Sequence, residues 1–118
     1  MLSRGPTVPD RGEVWWVDLD PAQGHEQAGR RPALVISDDA LNHSRAGISI
    51  VIPISASARP MPQHVELRPP DGGLPRTCQV LCEAVRSISV DRMESRLGRL
   101  SRAKLAEVEM KLAILLGL

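Results

Sequence analysis

A chain of 118 residues with 42% hydrophobic content fits one domain with one modest core. The formal net charge is only +1, which argues against a general polyanion binder, yet 13 arginines stand against 2 lysines, and arginine grips phosphate bidentately. Phe and Tyr are absent and Trp15 and Trp16 are the only aromatics, so a platform of several stacking aromatics is excluded and any nucleic-acid contact is expected to rest on arginine and backbone.

Residues 1–10, with Gly5, Pro6 and Pro9, read as an irregular arm. They have no apolar stretch like that of a signal peptide, and no later run is long enough to span a membrane, so a cytoplasmic protein with no membrane partner is expected. A first strand follows over Val14–Leu19, and Pro21 closes it. Adjacent Trp15 and Trp16 must point to opposite faces of that strand, one into the core and one to the outer face or an interface. The connection Gly24–Arg31, GHEQAGRR, then packs a histidine, a carboxylate, an amide and two guanidiniums between two strands. An ordinary hairpin needs none of these charged groups, whereas a site moving protons beside a phosphate uses all of them.

Pro32–Ser37 reads as a strand buried on both faces, and Asp38–His43 as a turn or helical turn. Gly47–Ser55 is a third strand, with Pro53 predicting a bulge or an edge. His64–Arg68 alternates like a half-exposed strand. Thr77–Val90 is the longest strand pattern, with a bend expected near Glu83 or Ala84. Asp91–Ser95 suggests a helical turn, and Arg96–Leu100 a last short strand. Ser101 caps a helix from about Arg102 to Leu116, with Leu105, Val108, Leu112 and Leu115 as its apolar stripe and Gly117 as its stop. Five or six strands followed by one helix favour a small, curled, mostly antiparallel sheet with the helix packed on it.

The inventory suits metal-free RNA cleavage: a base for the 2′-hydroxyl, an acid for the leaving 5′-oxygen, and cations or donors for the phosphorane. Glu26 or His25 are candidates for base, His25 for acid, and Arg31 and Arg30 for holding phosphate. Ser55 and Thr77 are candidate added donors. The structural alternatives are an ion pair from Glu26 to Arg30, a surface role for His25, and a Glu83 that faces a groove or pairs with Arg86 or Arg31. Arg96, Arg99 and Arg102 read as a solvated face. His25, His43 and His64 have no partners at ligand spacing, so no metal is expected. Cys78 and Cys82, set roughly 13 Å apart on one extended strand, are too far apart for a disulfide and read as buried small hydrophobes.

RGEVWWVDLDP, GHEQAGRRPALVIS and IVIPIS resemble the MazF, PemK and Kid toxin family of type II toxin–antitoxin modules. The resemblance covers the chain from Arg11 to the last helix. It implies one toxin domain over 1–118, mainly β with a C-terminal α-helix: an arm (1–10), an SH3-like small barrel (11–100) and a helix (101–117). It further implies a homodimeric, metal-independent endoribonuclease without cofactor, acting on single-stranded RNA and held by a MazE-like antitoxin. Products in such a family carry a 2′,3′-cyclic phosphate and a 5′-hydroxyl. Arg31 matches the family's catalytic arginine, and Ser55 falls where the family has a catalytic threonine. Glu26 matches the acid of the motif and His25 the histidine of Kid-like members. Glu83 stands at their catalytic aspartate and Leu81 at their second arginine, which favours an Arg31/Ser55 scheme. Thr77 matches a hydroxyl position that contacts RNA, and Ala84 replaces a common glutamine. Gln27, Arg30 and Arg86 complete the expected substrate contacts. The alternatives from other classes are a gyrase poison like CcdB, whose family lacks the GHEQ block, and a catalytically impaired member that only binds RNA or antitoxin.

Overall fold

In the computed structural model, residues 8–21 and 23–118 are described. The arm expected over 1–10 lies outside the described residues up to position 7. The strands are β1 Glu13–Asp18, β2 Arg30–Val35, β3 Ile48–Ser55, β4 His64–Leu67, β5 Cys78–Leu81, β6 Arg86–Ser89 and β7 Met93–Arg99. A one-turn helix α1 (Asp39–Asn42) and a long helix α2 (Arg102–Leu116) complete the fold. The pairings are antiparallel, and the sheet runs β4-β5-β3-β2-β1-β7 with β6 also on β3. The path is open, with β4 and β7 at its ends, so the expected small barrel is a curled sheet rather than a hydrogen-bonded cylinder.

The sheet has seven strands, one more than expected, because the run Thr77–Val90 breaks at a 3-10 turn over Cys82–Ala84. That is where the bend was expected. The two halves serve different stretches of β3: β5 pairs with Ile54 and Ser55, and β6 with Ile48–Val51. The last strand starts at Met93 rather than Arg96, directly after a 3-10 turn over Val90–Arg92.

Pro53 corrects a further expectation. It lies in the central strand β3, paired with Ala33, and not at an edge. Ile36 N–H donates to the Ile50 carbonyl at 2.9 Å, so alternation turns the Pro53 nitrogen away from β2. It faces the interval where the neighbour of β3 changes from β6 to β5, and the missing N–H costs no ladder bond there.

The sheet is buried on both faces, which explains the near-continuous apolar reading of β2 and β3. Trp15, Val17, Ala33, Val35 and Val51 pack with Ile88 and Met93 on one side. Val14, Leu34, Ile52, Ile54 and Val80 pack under α2 on the other. Val108 is fully buried in that contact, with Leu105 and Leu112 packed beside it. Leu115, expected to complete the stripe, is 42% exposed, because the helix runs past the sheet. Cys78 and Cys82 are both free and buried, but Cys82 sits in the 3-10 turn, so the two do not share one extended strand.

Two polar devices fix the ends. Ser101 accepts from Lys104 N–H at 3.3 Å as the N-cap of α2, and Asp71 accepts from the Ser101 N–H at 2.7 Å and hydroxyl at 2.8 Å. Below α1, buried Asn42 accepts from the Ser49 hydroxyl at 2.8 Å and from Ser37, and donates to the Ser37 carbonyl at 3.0 Å.

Candidate functional site

The β1–β2 connection is shaped by its own polar groups. Leu19 N–H donates to the Gly29 carbonyl and Gly29 N–H to Asp20 Oδ1, both at 2.9 Å, which closes the loop base. Gly29 takes a φ of 79°, a left-handed value that side chains resist, and this turns the chain into β2. Arg31 follows at the rigid start of that strand. Its Nε donates to the Ala28 carbonyl at 2.9 Å, and among the described residues its terminal nitrogens have no other partner. The guanidinium is therefore braced at its root with its fork uncommitted.

Ser55 lies at the end of β3, buried to 6% exposure. Its Oγ accepts from Ser57 and Ala58 N–H, both at 3.2 Å, and lies 3.2 Å from Ser57 Oγ. With both lone-pair positions taken by backbone donors, the hydroxyl hydrogen is the group Ser55 can donate, and Ser57 Oγ is its acceptor here. Arg31 and Ser55 line one recess of about 520 Å³, together with Trp16, Arg30, Ser57 and Arg76. Burial holds the Cys78 thiol of the same recess above its ordinary value, so it is a wall and not a nucleophile.

The other loop candidates line a second recess of about 450 Å³: His25, Glu26 and Gln27 from the loop, with Glu83 and Arg86 from the bend between β5 and β6. The loop thus divides at Gln27–Ala28, its first half walling one recess and its second half the other. Arg86 Nη1 is buried there without a hydrogen-bond partner among the described residues. Glu83 faces this groove as expected, but its partner is His64 Nε2 at 3.3 Å and neither Arg86 nor Arg31.

Two further expectations are corrected. Glu26 does not pair with Arg30: its Oε1 accepts from Gln23 N–H at 2.7 Å, because the segment is a turn and helical i+4 logic does not apply. Arg30 pairs instead with Glu94 across the sheet and lies 4.3 Å over the ring of Trp16. Thr77 is exposed at the start of β5 and lines neither recess. Arg96 and Arg99 are not a merely solvated face, since both reach buried Glu13, at 2.7 and 3.9 Å.

The histidines are scattered as expected, but His43 does meet two carboxylates, Asp10 and Asp39, with ligand atoms within 4.8 Å of one another. Those atoms are in use: Asp10 bonds His43 at 2.7 Å, and Asp39 accepts from Arg11 N–H at 2.7 Å and Asn42 at 3.1 Å. The group reads as a brace tying α1 to the start of β1. Trp16, Ser57 and Arg76 line the recess but were not among the residues expected from the sequence. For Trp16 the signal was present, because adjacent tryptophans on a strand point to opposite faces, and Trp15 is the buried one at 2% exposure. Ser57 and Arg76 carried no such signal, since they come from loops that the sheet alone brings in.

A small curled sheet with one long helix packed on it, carrying an arginine and a hydroxyl in a recess lined by three arginines, defines a class of compact, mainly β proteins. Within that class the chain belongs to the PemK-like, MazF-like toxins of type II toxin–antitoxin systems, whose family model matches residues 10–116. It is 38% identical over 113 residues to endoribonuclease MazF9 of Mycobacterium tuberculosis, covering 92% of this chain and 96% of that protein. The crystal structure of MazF from Deinococcus radiodurans superposes with a TM-score of 0.84 at 38% identity, covering 94% of this chain and 98% of that one. A MazE–MazF crystal structure from the same organism gives a TM-score of 0.74 at 34% identity, covering 94% and 97%.

Proposed function

We propose that this chain is the toxin of a type II toxin–antitoxin module: a metal-independent, sequence-specific endoribonuclease that cuts single-stranded mRNA and so arrests translation and growth. The observation that carries the reading is that Arg31 and Ser55, from different strands, line one recess, the Arg31 fork uncommitted and the Ser55 hydrogen shared with the Ser57 hydroxyl. The relatives named as endoribonucleases, similar over nearly their whole length, give the same direction.

The reaction is an internal transesterification. The 2′-oxygen attacks the adjacent phosphorus, and the bond to the 5′-oxygen breaks. The products are a 2′,3′-cyclic phosphate and a 5′-hydroxyl. Arg31 meets the phosphorane charge with its guanidinium fork, and Ser55 turns its hydroxyl hydrogen from Ser57 Oγ to a phosphate oxygen. Glu26 takes the 2′-proton once RNA draws it from the Gln23 amide, and His25 gives a proton to the leaving oxygen. Gln27, Glu83 and Arg86 hold the strand in the neighbouring recess, Arg30 holds it beside Arg31, and Thr77 contacts it outside both recesses.

The protein works as one toxin domain in the cytoplasm, and no helix among the described residues is long and apolar enough to cross a membrane. It forms a homodimer, which the apolar end of α2 supports: Ile114 is 69% and Leu118 91% exposed. The partner is a MazE-like antitoxin whose acidic, disordered tail covers the arginine-lined recess.

Purified protein incubated with a long RNA in excess EDTA is expected to give discrete fragments with 5′-hydroxyl ends. Arg31→Ala is expected to lose at least about 100-fold in rate with its fold unchanged. Undiminished cleavage by that variant removes Arg31 from the mechanism, and loss of wild-type activity in EDTA points to a required metal.

A further inference from the structure

We propose that Trp16 and Arg30 form a base-stacking plate, on whose outer face one nucleobase next to the scissile phosphate is held. The proposal rests on the endoribonuclease reading and adds a contact to it. Trp16 pairs with Pro32 across β1 and β2, so Arg30 is its diagonal neighbour on the same face of the sheet. The guanidinium lies over the Trp16 ring at 4.3 Å, and Glu94 holds its Nε from β7. A flat cation is thereby fixed in orientation on an aromatic base. The Arg30 side chain is nevertheless 54% exposed, so the plane away from Trp16 is open.

Both residues line the recess that holds Arg31 and Ser55, so a base on the plate belongs to a nucleotide adjoining the phosphate gripped there. Bases stack on guanidinium planes as they do on aromatic rings, and this gives an RNA-binding surface to a chain that has only two aromatics. Stacking is indifferent to base identity, so the plate fixes register and leaves sequence choice to other contacts.

The test uses an RNA oligonucleotide spanning a mapped cleavage site, with a 2′-deoxy nucleotide at the attacking position to prevent cutting. Single abasic nucleotides are walked along it, and binding is read by fluorescence anisotropy. In the wild-type protein one abasic position beside the scissile phosphate is expected to weaken binding at least about fivefold, the low end of base-stacking contributions. Arg30→Lys keeps the charge but loses the plane, and Trp16→Leu removes the ring. In each, binding to the intact RNA falls and the same abasic position has little further effect, because the contact is already gone. If the abasic penalty persists undiminished in Arg30→Lys, the plate is overturned while the endoribonuclease reading stands. If the wild-type protein neither cuts nor binds RNA, both fall together.

Discussion

Glu13 is buried beside β7 and accepts from Asp10 N–H at 2.8 Å, Trp15 Nε1–H at 3.0 Å and Arg96 Nε–H at 2.7 Å. Burial pushes its carboxyl up, but those three bonds and the Arg96 charge outweigh it and hold it below its ordinary value of 4.5. A carboxylate lowered on folding adds stability that is complete above its unfolded value and is lost as pH falls through the folded one. Urea unfolding followed from pH 7 downward should therefore show stability falling below about pH 4.5, with Glu13→Gln costing about 1–3 kcal/mol at pH 7 and flattening part of that fall. An unchanged acid slope in the variant would assign the linkage to other groups. At this scale the sequence was readable where a motif fixes a residue at a strand end, as for Arg31 and Ser55. It was not readable for partners: Glu26 turned to Gln23 because its segment is a turn, and Arg30 to Glu94 and Trp16 because cross-strand register decides.

Among the elements, the turn Asp71–Gly73 and strand β7 meet backbone to backbone. A Cβ on Gly98 would lie 2.7 Å from the Gly72 carbonyl carbon and from Gly73 N, too close for either chain to yield without moving. Leu74, Arg76 and Leu97, close in sequence to this approach, all line the Arg31 recess. Gly98→Ala should thus destabilise the fold by about 2 kcal/mol or more and lower RNA cleavage through the displaced wall. Thermal unfolding and activity measured together check it, and a variant as stable and active as wild type would refute the account of the contact. Helix α2, its cap and the bend at Cys82–Ala84 were legible because Ser101, the leucine spacing and the carboxylate in an apolar run are local signals. The split of one apparent strand into β5 and β6 was not, since it depends on which part of β3 each half meets.

Across the whole molecule, composition and motif were enough for a curled sheet with one helix, while its open path and the pairing order came from contacts distant in sequence. Apolar exposure collects along the second half of α2 and just beyond it, where Met110 is 67% and Leu116 57% exposed along with Ile114 and Leu118. A patch of this kind marks an interface. Ile114→Glu should convert the homodimer to a monomer in sedimentation equilibrium without loss of helix content. A variant that stays dimeric would place the interface elsewhere. The antiparallel pairing of β2 with β3 delivers Arg31 and Ser55 to the same phosphate, so that they act as a unit. The most direct measurement is a double-mutant cycle on single-turnover RNA cleavage with Arg31→Ala, Ser55→Ala and the combined variant. Residues acting on one transition state are strongly non-additive, so the double variant should be little slower than Arg31→Ala alone. Losses that simply multiply, or wild-type rates in Ser55→Ala, would contradict the shared site.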